Sequence, residues 1–402
     1  MVDVIIVGAG PAGGTAAYTL GEAGLRVLVL EKARLPRYKP CGGGLSAALL
    51  AQFPFSFDPV IESRITSISY ALGERTVTVP LPDHLMRMVM RTKFDQYLLD
   101  HTGAEVRQGM VVRRVQELAD GVVVETKECE SFTARYLIGA DGANSIVAKS
   151  LGLRRGKLLA AAIEAEVPVE EAVMRRFAGA PLFIFGEVRL GYLWVFSKAD
   201  HLSVGIGALK PKPGELQATL KRVIARYGIS LDGVKLHGHP LPVYVRREPV
   251  ATRRVFLVGD AAGLVDPLTG EGIRFAVQSG RLAAEAIIRE TPETYPRRVH
   301  RQIGRSHMAG LALAQLFYRF PHACFRLGVQ NPLATLAFVD LLSGRATYPQ
   351  VMARLFVSLP LFLLTEFAAG LAGLFGGATG KERLLTAVYG NHQLSAGKFA
   401  GD

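Results

Sequence analysis

Gly8, Gly10 and Gly13 separate an apolar run from a helical pattern in the stretch Asp3–Glu31, DVIIVGAGPAGGTAAYTLGEAGLRVLVLE. Backbone without side chains at this spacing lets a strand turn tightly, a pyrophosphate approach peptide N–H groups, and a helix pack close to the sheet. The N-terminus of that helix would face the phosphates, where its unpaired N–H groups and dipole favour negative charge. Glu31, closing the second apolar run, stands where a carboxylate accepts hydrogen bonds from ribose hydroxyls. A glycine-rich stretch alone is equally a plain loop; strand, helix and acid in order point to a dinucleotide. A second constellation begins at Gly259-Asp260, after the apolar run from Arg254 to Val258, and continues as Asp266-Pro267-Leu268-Thr269-Gly270-Glu271-Gly272-Ile273. A carboxylate at a strand's end can bind a polyol such as a ribityl chain. The helix opened by Gly270 to Ile273, running to about Arg289, would aim N–H groups at a ring that gains negative charge on reduction. Together these favour a flavin over a nicotinamide. An ordinary strand-to-helix junction is the alternative for either half.

Between them lies Lys39-Pro40-Cys41-Gly42-Gly43-Gly44-Leu45. Three consecutive glycines suit neither helix nor strand; they offer free backbone and close approach to a flat neighbour. Cys41 beside them is either a reactive thiol or a small buried hydrophobe. Arg91, in Val89-Met90-Arg91-Thr92-Lys93-Phe94-Asp95, is expected near the sheet's carboxyl edge with Thr92 as N-cap of the following helix. It either holds cofactor phosphate or ribose or forms a surface ion pair with Asp95.

The elements that must hold these residues follow from patterning. The chain has 402 residues, 49% of them hydrophobic, which suits two or three units with a large core and excludes disorder. With an apolar strand directly after Met1 in place of a charged n-region, an apolar h-region and a cleavage site, secretion is not expected. Cys41, Cys129 and Cys324 have neither a disulfide framework nor metal-ligand spacing, so no metal and a reducing cytoplasm are expected. The net charge of +12 implies attraction to an anion; without a nucleic-acid-binding signature, a membrane surface or a phosphorylated substrate is favoured over nucleic acid, and a solvated basic surface is the alternative.

In chain order we expect a short helix over Leu45 to Gln52 and a hairpin over Ile65 to Val79 turning at Gly73-Glu74. An antiparallel meander follows (Val111 to Leu118, Val122 to Thr126, Ser131 to Arg135), then a buried strand from Tyr136 that turns at Asp141-Gly142. Strands over Ala160 to Val167, Leu182 to Val188, Tyr192 to Phe196 and Leu202 to Ala208, with a helix over Glu215 to Tyr227, read as a sheet covered on one face. The fold class is α/β: a Rossmann-type dinucleotide-binding domain (1–50, 90–155 and 250–290), an inserted mixed β-sheet domain (51–89 and 156–249) and a C-terminal helical region (291–402). In that last region Arg297, Arg298, Arg301 and Arg305 form a basic stretch, either a diphosphate or headgroup site or a solvated face. Leu355 to Phe375 is long and apolar, yet Pro360, Glu366, Gly370 and Gly373 interrupt it, so surface helices at a membrane or around a lipid tunnel, or a buried hairpin, are expected rather than a span.

The Gly8–Gly13 turn with Glu31, Arg91, Asp141-Gly142 and Gly259-Asp260 resembles the FAD-dependent oxidoreductases of the para-hydroxybenzoate hydroxylase-like superfamily over roughly residues 1–290. Within it, Pro40-Cys41-Gly42-Gly43-Gly44 is similar to the signature of the geranylgeranyl reductases, and Tyr192-Leu193-Trp194-Val195-Phe196-Ser197-Lys198 is similar to their Tyr-x-Trp-x-Phe-Pro-Lys motif, with Ser197 in place of proline. The resemblance implies FAD, held by Gly8, Gly10, Ala12, Gly13, Glu31, Lys32, Cys41, Gly42, Gly43, Arg91, Val112, Asp141, Asp260, Gly270, Gly272 and Ile273. It implies NADPH or a reduced protein as electron donor and an isoprenoid lipid as substrate, reduced at its C=C bonds. Tyr192, Trp194 and Phe196, on one face of a strand by their period of two, would line the chain's channel with Gly43 and Gly44, or simply pack a core. Cys41 would supply or relay the proton that accompanies hydride, or gate the chain. An FAD monooxygenase or halogenase would share the cofactor residues, although the Trp-x-Trp-x-Ile-Pro usual in flavin halogenases is missing. A membrane-docked electron-transfer flavoprotein is a third class.

Overall fold

The computed structural model describes residues 2–81, 85–329 and 331–389. Two units emerge, each assembled from separated stretches: Met1–Cys41, Val89–Ala161 and His239–Ala312 form the first; Gly42–Met88, Ala162–Gly238 and Leu313–Asp402 form the second. The expected C-terminal region is thereby divided between them, and the glycine triplet falls at the start of the second.

The first unit is built on a sheet ordered Glu105–Gln108, Val27–Glu31, Val2–Val7, Ser131–Gly139, Val122–Thr126, Val112–Glu117, with Val255–Leu257 also on Ser131–Gly139. Val2–Val7 runs parallel to both neighbours. Its residues Val4, Ile5 and Ile6 are fully buried, as a strand covered on both faces requires. Sequence patterning divides Ser131–Arg135 from Tyr136–Gly139, but they form one strand. Its first half pairs antiparallel with Val122–Thr126, and its second half pairs parallel with Val255–Leu257. The alternation of the first half and the continuous apolar run of the second thus record two kinds of neighbour along one strand.

Helix Pro11–Glu22 starts with proline at its first turn, where the missing N–H costs nothing. It lies against helix Ile273–Ile288 so closely that a Cβ on Gly280 would stand 2.3 Å from the carbonyl oxygen of Ala12. Helix Arg91–Asp100 is preceded by Met90 as N-cap without a side-chain bond, not capped by Thr92. Residues Ile273–Ile288 are helical from Ile273 onward, Gly270 and Gly272 belonging to the turn before it.

The second unit contains, in sheet order, the part of Leu158–Val167 from Ala162 onward, then Leu202–Leu209, Gly191–Ser197, Leu182–Phe185, Ser67–Leu72 and Arg75–Pro80. The hairpin Ser67–Leu72 with Arg75–Pro80 turns at Gly73-Glu74 as expected. Gly44–Ser46 is a short strand antiparallel to Met86–Val89, so helix remains only over Ala47–Leu50. A single helix runs from Tyr348 to Tyr389 with Pro360 inside it, in place of the interrupted segments that the sequence suggests. Its window Tyr348–Thr365 has a mean hydropathy of 1.3 and is long and apolar enough to cross a membrane, with 28% of it buried.

Gly280→Ala is expected to lower stability by about 1–3 kcal/mol, because overpacking two close helices forces a backbone shift. Urea unfolding monitored by circular dichroism checks this.

Candidate functional site

In the first unit the glycine turn is bare on every side that matters. Gly8 has φ +102°, and a Cβ there would lie 2.4 Å from the carbonyl oxygen of Ala140; on Gly13 it would lie 1.9 Å from that of Gly8. Gly10 faces two guanidinium groups, with its Cβ position 3.6 Å from Nη2 of Arg37 and 3.7 Å from Nη2 of Arg91. The helix N-terminus and two cations therefore converge on one strip of backbone without side chains, the electrostatics a pyrophosphate needs. Ala12, also buried, supports the strip from the helix.

Arg91 is 4% exposed and donates to both carboxylate oxygens of Asp95 at 2.7 Å. Arg91 thus forms the ion pair with Asp95, buried rather than superficial, while its Nη2 also faces Gly10. Burial pulls the guanidinium pKa down, and the carboxylate of Asp95 outweighs it, so Arg91 titrates above its ordinary value. Arg37 reaches Asp95 at 3.3 Å and Glu31 at 3.7 Å, giving a network of two cations and two anions. Glu31 itself is buried and accepts from the N–H groups of Ala9 (2.8 Å) and Ala33 (2.9 Å). Its first task is to tie the end of its strand to the glycine turn; each carboxylate oxygen retains a second lone pair for a ribose hydroxyl. Lys32, next to it, is exposed, and Val112 is buried in the core at the start of its strand.

Asp260 follows the strand Val255–Leu257 and sits 3.4 Å from Nζ of Lys39 and 3.7 Å from Nε2 of His239. Burial would raise its pKa, but Lys39, His239 and Arg91 outweigh burial and hold the carboxyl well below the usual range. Its Oδ1 is 3.6 Å from the Cβ position of Gly272, so Asp260, Gly272 and the helix starting at Ile273 meet. Gly270 has φ +69° in the turn before them. Cys41 is partly buried in the first unit. Asp141 accepts from the N–H groups of Ile146 (2.6 Å) and Val147 (3.2 Å), capping helix Ile146–Ser150 alongside Ser145. Burial pushes its carboxyl pKa up, and its Oδ1 is buried without a hydrogen-bond partner. That orphaned oxygen, the bare glycine strip and the paired guanidiniums fit a dinucleotide cofactor.

In the second unit the glycine triplet and the aromatic strand come together. The Cβ position of Gly42 is 2.6 Å from the ring of Phe196 and 3.5 Å from Nε1 of Trp194. Only glycine fits beneath these rings. Gly43 is buried with φ +71°, and Gly44 pairs with Met88. Tyr192, Trp194 and Phe196 lie on one face of Gly191–Ser197 and extend through Phe183 and Phe185 to Phe317. Trp194 covers Gly205 on the next strand, and its Nε1 is buried without a partner. Serine in place of proline at position 197 leaves the turn intact: the N–H of Lys198 donates to the carbonyl of His201 at 2.9 Å.

Sequence reasoning missed Arg37, Lys39 as partner of Asp260, and the pair Glu164 and Glu166. The basic run Arg34, Arg37, Lys39 after the dinucleotide acid was the available signal for the first two. For the pair, two acids at i and i+2 inside an apolar strand were the signal, since buried carboxylates need a reason. Glu164 is 2% exposed, accepts from Ser203 Oγ at 2.8 Å, and its carboxyl is pushed up to about 8 by burial and by Glu166. Glu166 goes the other way: burial opposes ionisation, but His201, 2.9 Å away, and the proton donated by Glu164 hold it below its ordinary value.

Residues 3–150 match the FAD dependent oxidoreductase family. An uncharacterized protein of Methanosarcina barkeri is 32% identical over 90% of this chain and 96% of its own length. The geranylgeranyl diphosphate reductase of Rhodobacter capsulatus is 32% identical over 71% of this chain and 74% of its own, and the menaquinone reductase of Mycobacterium tuberculosis is 30% identical over 79% and 85%. The crystal structure of a geranylgeranyl bacteriochlorophyll reductase-like protein from Thermoplasma acidophilum shares the fold with a TM-score of 0.75 at 24% identity, covering 88% of this chain and 98% of that one.

Arg37→Met is expected to weaken FAD binding roughly tenfold, or ~1.4 kcal/mol, in a fluorescence titration of the apoprotein, while the exposed Arg34→Met leaves it unchanged. A separate expectation concerns pH. The carboxyl of Glu164 titrates near 8 folded and at its ordinary value unfolded, so its contribution is complete below about pH 4.5 and is lost as pH rises through 8. The contribution of Glu166 is lost in a different window, as pH falls below the ordinary carboxylate range. Between pH 5 and 8 the native protein should therefore lose stability relative to Glu164→Gln by at least about 1 kcal/mol, measured by urea unfolding across pH.

Proposed function

This chain belongs to the geranylgeranyl reductase family of FAD-dependent oxidoreductases, and from that premise we propose that it saturates C=C bonds in a geranylgeranyl or other polyprenyl chain. When bound, FAD supplies hydride from its reduced ring to one alkene carbon. Its electrons come from NADPH or a reduced protein donor. Arg37, Arg91 and the turn of Gly8, Gly10 and Gly13 would hold the pyrophosphate, Glu31 a ribose, and Asp260 with Lys39 the polyol. The N–H groups ahead of Ile273, beside Gly272, would stabilise negative charge on the reduced ring.

An isolated alkene has no carbonyl to absorb the negative charge that hydride brings, so a proton must reach the second carbon in the same event. Cys41 supplies or relays it. The observation that most supports a hydrocarbon substrate is the bare Gly42 packed beneath Phe196 and Trp194. This arrangement sets peptide backbone directly against aromatic rings, surroundings a prenyl chain tolerates. Contact with a membrane surface, where such substrates reside, is supported by the helix beyond Tyr348. Met352, Phe356, Leu363 and Phe367 recur on one face of it at spacings of four, seven and four residues, Phe356 being 82% exposed.

Mixing the FAD-loaded, chemically reduced enzyme with geranylgeranyl diphosphate without oxygen tests the reading. The expected result is flavin reoxidation with a product two hydrogens heavier for each bond reduced, and Cys41→Ala slows this step at least about tenfold. A requirement for O2 with a hydroxylated or halogenated product would make the protein a monooxygenase or halogenase. Reoxidation by quinone with every double bond intact would make it an electron carrier.

A further inference from the structure

Lys198 is 2% exposed, and its Nζ donates to the carbonyl oxygen of Gly42 at 2.5 Å. A buried ammonium costs several kcal/mol unless it is paired, and here the compensation comes from the next strands. Glu164 and Glu166, two apart, lie on one face of Leu158–Val167, and Lys198 favours ionisation of both; burial and the neighbouring Glu166 nevertheless push Glu164 up to about 8, so at neutral pH it keeps its proton while Glu166 is charged. One negative charge on the pair then balances one positive charge on the lysine. The cluster is pinned from outside by His201 on Glu166 (2.9 Å) and Ser203 on Glu164 (2.8 Å). It is pinned from below by the turn that joins Lys198 to His201, and by Ser63 Oγ donating to the carbonyl of Ser197 at 2.7 Å.

The partner chosen for this charge is informative. Gly44 is held by strand pairing with Met88, but Gly42 lies ahead of that strand and offers no side chain by which it can be fixed, which leaves its carbonyl as the group that Lys198 holds. A charged donor makes the strongest such bond. We propose that Lys198, held by the Glu164–Glu166 pair, is the positioning residue of the glycine triplet, locking the Gly42 carbonyl so that the triplet stays seated under Phe196 and Trp194. This deepens the reductase reading and rests on it for the consequence in catalysis, because a triplet that wanders no longer shapes the path of the alkene.

The test uses FAD-loaded full-length protein. In Lys198→Met, amide hydrogen exchange over residues 42–46 is expected to rise at least tenfold while strand Leu202–Leu209 keeps its protection, and Lys198→Arg is expected to restore the slow rate to within about threefold. With geranylgeranyl diphosphate, Lys198→Met should lower kcat at least tenfold with KM within twofold. Unchanged exchange at 42–46, or equal loosening of the whole sheet, overturns the proposal. Should Lys198→Met fail to fold, Glu166→Gln, which weakens the hold on the ammonium, should raise exchange at 42–46 by threefold or more; no rise overturns it. If exchange responds as described but neither native protein nor variant reduces an alkene, the positioning role stands and the reductase reading fails.

Discussion

Close approach of backbone to backbone is the constraint on which the first unit depends. The turn at Gly8 is pressed against Ala140, Gly13 against Gly8, and Gly280 against Ala12, each nearer than any Cβ permits. The sheet, the first helix and the helix from Ile273 are thus drawn together around one strip of peptide N–H groups. Hydrophobic burial supplies the driving force, since the strands Val2–Val7 and Val27–Glu31 are almost wholly buried, but burial has no direction. Missing side chains decide which surfaces meet.

Charge is handled by the same economy in both units. Arg37 and Arg91 answer to Glu31 and Asp95, Lys39 to Asp260, and Lys198 to two carboxylates acting as one anion. Networks of this kind add little net stability, because desolvation consumes most of the Coulombic gain. What they provide is definition: Arg37 and Arg91 are fixed against the backbone of Gly10 in the first unit, and Lys198 against the carbonyl of Gly42 in the second.

Much of this was legible in the residues alone. The turn from Gly8 to Gly13, the Gly259-Asp260 strand end and the hairpin at Gly73-Glu74 are local patterns, and local patterns survive folding. The family resemblance set Gly43 and Gly44 beside Trp194 and Phe196, but that Gly42 is the glycine beneath these rings was not legible, since 152 positions separate it from Trp194. Arg37 was hidden because a basic residue in a loop looks solvated until a buried Asp95 is seen beside it. That the Arg91–Asp95 pair is buried was not legible, because a spacing of four residues does not reveal depth. Pro360 and the glycines after it suggested breaks, yet the helix from Tyr348 continues through them; propensity is a weak prior over a long apolar stretch.

The strand Ser131–Gly139 divides one of its edges between Val122–Thr126 and Val255–Leu257 while its other edge serves Val2–Val7. Asp141 and Asp260 each lie just beyond the ends of two of these paired strands, so their relative height is dictated by a single register. Adding or deleting one residue inside that strand would turn its side chains to the opposite face and misalign both carboxylates at once. A change of length in the turn at Asp120-Gly121 would touch neither. Gene-length variation in relatives should accordingly concentrate in the meander's turns and avoid this nine-residue segment.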